Sequence, residues 1–388
     1  MTHANTTLSS DAGEFRFEDK MSTSKSCVSG PGEPGLVSVI IPTYNRAYIL
    51  GQAIKSVLEQ TYRPVEVVVV DDGSTDDTRQ LVESFGPPVR YLHQPNTGVS
   101  PARNHGLREV RGEFVALLDS DDEWLPWKLT AQVELMRKFP DVGMIWTDMV
   151  AIDAEGKVLH PTYLRKMYSA HQSVRIEEVC ELAGRLGELC PGAPPEMADR
   201  PFYRGDIFSE MILGNLVHTP TVLVRRTRLQ QIDGFDESLK RSGGDYEFHL
   251  HTCSHGPVGF LDAPCILYRA GAVDQLTARG YMLNTARNNL ATVQKWLTRG
   301  EGRITLPPAV IRRHLAECYA WIGNEKYIAG DYWGARADHV RSLSLRPWQP
   351  RLCLHMAYNF LPGFVRRGIR SLRRGGSGAK GSGNTQAV

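Results

Sequence analysis

Asp119 and Asp121 stand two residues apart, directly after an apolar run, with Asp122 beside them. In extended backbone residues i and i+2 project to the same face, so both carboxylates could hold one divalent cation while substrate phosphates supply its remaining ligands. A bare Asp-x-Asp is common, and taken alone it reads more simply as a solvated acidic turn. A second acidic group, Asp71-Asp72-Gly73-Ser74-Thr75-Asp76-Asp77, follows another apolar run. An aspartate there could accept a hydrogen bond from a nucleotide base, although Asp and Ser are also ordinary turn and cap residues. His249, His251, Cys253 and His255 look like metal ligands at first sight. At ~100° per residue on a helix, His249 and Cys253 share one face while His251 and His255 lie far round it, so the four cannot converge on one ion.

The clusters sit at the ends of predicted elements. Residues 37–41 form a β-branched run, 49–60 carry apolar residues at helical spacing, and 65–70 form a second strand that is apolar except for Glu66. A helix over 76–85, a strand over 89–93, a helix over 102–110 and a strand over 114–118 continue the alternation. This predicts an α/β fold, a mostly parallel open sheet covered by helices on both faces. In such sheets ligands bind at the carboxyl ends of strands, where Thr43-Tyr44-Asn45-Arg46, the Asp71 cluster and the Asp119 cluster should converge. A helix over 126–139 and a strand over 142–149 follow, then a partly helical insertion over 153–204. A strand over 219–224, a helix over 246–254 and a short strand over 258–261 complete the domain.

Of 388 residues 41% are hydrophobic and 23% charged, which suits a folded globular protein and excludes global disorder. No apolar run is long enough to span a bilayer, and the first 30 residues lack the apolar stretch of a secretory signal, so the expected place is the cytoplasm. Seven scattered cysteines without a CxxC pair argue against a disulfide framework or a structural zinc site. The net charge of +2 is uneven. Nine Lys or Arg and no acid lie between 339 and 388, leaving 36 basic and 43 acidic residues, net −7, before them. A mildly acidic body with a basic tail argues against nucleic acid as partner and suits an anionic membrane surface.

Four segments occur in order: Val37-Ser-Val-Ile-Ile-Pro-Thr-Tyr-Asn-Arg46, Val68-Val-Val-Asp-Asp-Gly-Ser-Thr-Asp76, Gly98-Val-Ser-Pro-Ala-Arg-Asn-His-Gly106 and Leu117-Leu-Asp-Ser-Asp-Asp-Glu-Trp-Leu-Pro126. Together they resemble the family-two glycosyltransferases, inverting enzymes with the A-type nucleotide-sugar-binding fold, over about 36–269. The resemblance implies that Pro42, Thr43 and Tyr44 line the nucleotide pocket, with Tyr44 against the base and Asp72 hydrogen-bonding it. It implies Arg103 near the diphosphate, and Asp119 and Asp121 as the site of Mn²⁺ or Mg²⁺, with Asp121 the favoured direct ligand. Asp233-Gly-Phe-Asp-Glu237 and Gly243-Gly-Asp-Tyr-Glu-Phe-His249 resemble the family's second half, with Asp245 at the catalytic aspartate. Gly244 stands where many relatives carry Glu, which leaves Asp245 and Glu247 both open as the base. Asp245 could also cap the helix that begins before Tyr246, and the two roles can coexist.

The expected organisation is a disordered leader over 1–35, a catalytic domain over 36–284 with a nucleotide-binding half to 150 and an acceptor half beyond it, a helical extension over 285–361, and a basic tail over 362–388. Gly323, Gly330, Ala335 and Pro347 in the extension resemble one tetratricopeptide-like hairpin. Residues 352–374 mix apolar side chains with arginine as an interfacial helix would. The expected activity is transfer of a sugar from a nucleoside diphosphate sugar to a hydroxyl of a glycan or lipid-linked acceptor in cell-surface polysaccharide or glycolipid assembly. The rivals are a nucleotidyltransferase on a related fold, which the lack of a Gly-rich activating loop near the first strand disfavours, and a non-catalytic nucleotide-sugar-binding scaffold.

Overall fold

The computed structural model describes residues 26–240, 242–271 and 281–360. Strands β1 (Glu33–Thr43), β2 (Val65–Asp71), β3 (Val89–His93) and β4 (Gly112–Leu117) alternate with helices α1 (Ala47–Leu58), α2 (Thr78–Glu83) and α3 (Val99–Glu109). After β5 (Glu123–Trp124) and α4 (Lys128–Lys138) come β6 (Met144–Ile152), β7 (Val158–His160), β8 (Glu181–Arg185), β9 (Pro201–Gly205) and β10 (Leu223–Arg225). Helix α5 (Gly244–Cys253) and β11 (Val258–Arg269) close the sheet, whose main path runs β3-β2-β1-β4-β10-β6-β11-β9-β8. β3, β2, β1 and β4 are parallel, and β10 lies antiparallel between β4 and β6. β6 and β11 therefore run in the same direction as the first four strands, so six strands of the mixed sheet offer their carboxyl ends on one side.

Burial explains the pattern. Val37 and Val39–Ile41 on β1 and Val67–Val70 on β2 are fully enclosed, as strands covered on both faces must be. α1 turns Leu50, Ala53, Ile54 and Val57 inward at helical spacing. α3 has few apolar residues but approaches closely through Gly106, where a Cβ would lie 2.5 Å from Ile40 Cγ2.

Several expected elements differ. The chain joins the fold before residue 36: Cys27 and Val28 are buried, and the Arg226 guanidinium donates to the carbonyls of Ser29 and Gly30. Residues 1–25 of the expected leader lie outside the described residues. The strand expected over 219–224 is a 3-10 turn, Thr219–Thr221, followed by β10, because Pro220 has no N–H to give a ladder. The short strand expected over 258–261 runs on to Arg269, with its register shifting on either side of Pro264. The insertion holds β7, β8 and β9 between one-turn helices.

Four helices follow: α6 (Met282–Arg299), α7 (Pro308–Ile328), α8 (Tyr332–Leu345) and α9 (Pro350–Phe360). α6 sets Val293 and Trp296 into the main core, and its Ala286 and Leu290 form a smaller core with Cys318 and Ile322 of α7. α7 and α8 make a hairpin that closes at Gly323, where a Cβ would lie 2.3 Å from the His339 ring. Among the described residues no helix is long and apolar enough to cross a membrane. The basic tail over 362–388 lies outside the described residues.

Candidate active site

The carboxyl ends of β1 and β2 are laced together. The Asp72 N–H donates to Thr43 O at 2.9 Å, and Pro42 sits beside Val70 in register. Thr43 is buried with its hydroxyl unpartnered, while Tyr44 next to it is 48% exposed. The buried Asp72 carboxylate accepts from Gln94 Nε2 (2.8 Å) and from the N–H groups of Thr97 (3.0 Å) and Gly98 (2.7 Å), fixing the loop that enters α3. Asp71 is occupied by Tyr91 Oη and the Ser74 N–H.

Past β4 the backbone turns rather than staying extended, with the Asp122 N–H donating to Asp119 O at 3.2 Å. The premise that Asp119 and Asp121 point the same way along a strand is therefore not met. Each instead meets an arginine from a different element. Arg103 Nη2 of α3 lies 2.6 Å from Asp119 Oδ1, and Arg46 Nη1 lies 3.0 Å from Asp121 Oδ2. Burial, then the charge of Asp122, pushes the Asp121 carboxyl up to about 6. Asp122 is buried more deeply and is also raised, by burial first and then by Asp119. Its Oδ1 accepts from the Arg269 N–H at 3.1 Å.

His218 stands at the centre. Its Nδ1 is 3.0 Å from Tyr168 Oη, and its Nε2 has no hydrogen-bond partner but lies 3.8 Å from Asp122 Oδ2. Burial lowers its pKa to about 4, against the opposing pull of Asp119, Asp245 and Asp121. Tyr168 is raised by burial first and then by Asp245 and Asp119. Asp245, Asp119 and Arg103 thus act electrostatically on the same two rings, which links the second-half aspartate to the first-half motifs.

Local sequence explains how the start of α5 comes to those motifs. Gly243 takes φ +86°, and Gly244 packs where a Cβ would lie 2.6 Å from Ser100 Oγ, so the start of α5 abuts the start of α3. A side chain at 244 would hold the two helices apart. Glu247 is directed elsewhere: it is 2% exposed, 2.7 Å from Lys295 Nζ and 3.3 Å from Trp296 Nε1 of α6.

Sequence reasoning missed several partners. Asn104 donates to Phe235 O and Glu237 Oε1 and accepts from the Phe235 N–H, and the Arg103 guanidinium lies 5.2 Å from the Phe235 ring. Arg46 and Asn104 were visible inside the quoted segments, whereas His218, Tyr168 and Arg269 had no local signal. The histidine group disperses: His249 Nε2 faces Thr219 Oγ1 inside the core, and His251 packs on Trp296. Among the described residues no group of three or more His, Cys, Asp or Glu is gathered so that it could hold an ion alone.

Residues 38–181 match the family described as Glycosyl transferase family 2. An uncharacterized glycosyltransferase of Rickettsia prowazekii is 30% identical over 206 residues, 53% of this chain and 55% of that protein. The chain thus spans about half the length of that relative. Chondroitin synthase of Escherichia coli is 35% identical over 137 residues, 34% of this chain and 20% of that protein. Among solved structures, S. aureus TarS 1-349 in complex with UDP-GlcNAc aligns at a TM-score of 0.48 and 19% identity, covering 79% of this chain and 88% of that one. The motifs at the carboxyl ends of β1, β2 and β4 all lie within 38–181, the stretch that matches glycosyltransferase family 2.

Proposed function

We propose that the protein transfers a sugar from a nucleoside diphosphate sugar to an acceptor hydroxyl with inversion, in the assembly of cell-surface polysaccharide or glycolipid. The observation that carries this reading is the Arg103–Asp119 pair at the carboxyl ends of the sheet, together with the electrostatic pull of Asp119, Asp121 and Asp245 on the buried His218. Pro42, Thr43 and Tyr44 line the nucleotide pocket, and the unpartnered Thr43 hydroxyl supports a polar ligand there. Asp72 shapes that pocket through the 94–98 loop; its Oδ2 accepts from the Gly98 N–H at 2.7 Å and has a second lone pair for a base N–H.

A divalent cation, Mn²⁺ or Mg²⁺, suits the acidic cluster. Burial first, and then repulsion from neighbouring carboxylates, raises Asp121 and Asp122, and a cation held close by would offset both. Asp119 and Asp121 would hold it, Asp121 directly, with diphosphate oxygens completing the shell. When bound, the ion neutralises charge on the departing diphosphate. The chain's own residues do the rest. Arg103, fixed between Asp119 and the Phe235 ring, orients the diphosphate. Asp245 accepts the proton of the acceptor hydroxyl as its oxygen attacks the anomeric carbon opposite the leaving group, which inverts the configuration. Glu247, buried against Lys295, is the weaker candidate for that role. The acceptor is a glycan or a lipid-linked intermediate, and the basic tail supports work at the inner face of a membrane.

Thermal stabilisation by UDP, GDP, dTDP and CDP, with and without Mn²⁺, tests the reading. At ~100 times Kd a bound nucleotide adds about 2.7 kcal/mol. The expected result is a metal-dependent response to one nucleotide, lost in Asp121→Asn, with release of nucleoside diphosphate on turnover. Release of pyrophosphate, or no response to any nucleotide, would overturn it.

A further inference from the structure

The C-terminal hairpin holds large apolar side chains in solvent. Ile328 is 78% exposed, Trp333 79%, Trp348 81% and Leu354 72%. Along α8 the exposed Trp333, Ala337 and Val340 recur at helical spacing and form one stripe. The opposite face of α8 is already used: Ala335, Asp338, His339 and Ser342 are buried, with Ser342 Oγ donating to Ala316 O and His339 Nε2 meeting Asn324 Oδ1 of α7. The stripe therefore faces away from the rest of the molecule.

Its charge is positive. Each exposed apolar residue lies within three positions of a basic one: Ile328 of Lys326, Trp333 of Arg336, Val340 of Arg341, Trp348 of Arg346 and Leu354 of Arg351. The Arg336 guanidinium lies 4.7 Å from the Trp333 ring. Of these cations Lys326 and Arg341 meet the buried Asp338 and Arg346 meets Glu317, while Asp331 accepts from the Gly334 N–H as helix cap; from 326 to 351 five basic residues stand against two acids.

We infer that this face is a docking surface for an anionic phospholipid bilayer. Tryptophan favours the headgroup level, where its ring is apolar and its N–H stays wet, and arginine can reach lipid phosphate while its stem lies on apolar surface. Exposed apolar side chains with basic neighbours along the chain, followed by six more basic residues and no acid between 352 and 388, fit a bilayer better than the dry central cluster of a protein interface. The surface extends to the hairpin the anionic partner proposed for the tail, and rests on that reading for the choice of lipid charge. It is independent of sugar transfer.

The test uses the full-length protein without nucleotide sugar, sedimented with vesicles of phosphatidylcholine alone or mixed with phosphatidylglycerol, and with brominated acyl chains as a contact quencher of tryptophan emission. Wild type should bind the mixed vesicles and be quenched. Trp333→Ser with Trp348→Ser should lose the quenching and bind about tenfold more weakly or worse, with an unchanged melting curve. Ile328→Ser with Leu354→Ser provides a second pair should the first unfold. Binding as tight as wild type in a folded pair would mean that the tail alone carries the attraction, and would overturn the proposal while leaving the tail reading intact. Failure of wild type to bind mixed vesicles would overturn both. A wild-type dimer that the substitutions dissolve, without vesicle binding, would give the face to a second copy of the chain.

Discussion

Asp245 and Glu247 differ by two positions and by everything around them. The first lies in the opening turn of α5 and acts electrostatically on His218 and Tyr168; the second is buried against Lys295 and Trp296. Asp245→Asn should lower kcat by ~10²–10⁴ while leaving nucleotide-induced stabilisation intact, because only the proton acceptor is removed. Normal turnover in that variant would move the role elsewhere. Asp121→Asn should lower the rate by ~10²–10³ through loss of charge stabilisation, and unlike Asp245→Asn it should also abolish the metal-dependent thermal response. A full rate would remove Asp121 from the site. The acidic residues were legible because they sit in consecutive segments after strands. Their partners were not. Arg46 reaches Asp121 across 75 positions, and His218 stands in a stretch without periodicity, so their meeting depends on how loops fold over strand ends. Even the Asp119–Asp121 geometry changed, since a hydrogen-bonded turn replaced the extended backbone that spacing assumes.

β2 and β3 were legible to within a residue and β4 to within two, while β1 runs four residues before and two past its apolar stretch; β2 and the centres of β1 and β4 are buried on both faces and therefore read as apolar runs. The half from 153 to 269 was harder, since its strands pair antiparallel at the sheet edge and alternate weakly, and Pro220 and Pro264 break the ladders. The sequence also gave no hint that α6 is fastened to the catalytic half. Lys295 Nζ lies 2.7 Å from Glu247 of α5 and 3.0 Å from Asp236, in the loop that Asn104 holds beside Arg103. One lysine thus ties the helical extension to both second-half segments of the candidate site. Burial raises Glu247 despite that lysine, so the carboxylate depends on it. Lys295→Met leaves a carboxylate stranded in the core and should cost about 3–5 kcal/mol, read as a lowered urea midpoint. Lys295→Met with Glu247→Met should recover much of the loss, since the one carboxylate left without the lysine, Asp236, is partly exposed and still bonded by Ser238. A double variant as unstable as the single would show that shape rather than charge holds α6 in place.

At the scale of the whole molecule, the core holds histidines that must stay neutral. His171 and His218 are lowered to about 4 and His249 to about 3, in each case chiefly by burial. A histidine whose folded pKa lies below its unfolded value near 6.5 binds its proton more readily when the chain is unfolded. Its contribution to stability is complete above pH 6.5 and is lost as pH falls toward the folded value. Several carboxyls pull the other way: Asp121, Asp122, Asp148 and Glu247 are raised, and they favour the folded state as they protonate. The acid response of the wild type is therefore a sum of opposing parts, and a difference between two proteins isolates one of them. His249 is the suitable position, because it is fully buried, is lowered by burial and then by Arg103 and His218 rather than acted on by a carboxylate, and makes its hydrogen bond to Thr219 Oγ1 through Nε2 alone. Asparagine there can keep a bond to Thr219 but cannot titrate. His249→Asn should be less stable than wild type at pH 7.5, through lost packing. That deficit should shrink by about 2 kcal/mol between pH 6.5 and pH 5, at ~1.4 kcal/mol per pH unit, as wild type alone carries the proton-linked loss. Paired urea titrations at the two pH values measure it, and a deficit that stays constant would mean that His249 is protonated in the folded protein after all.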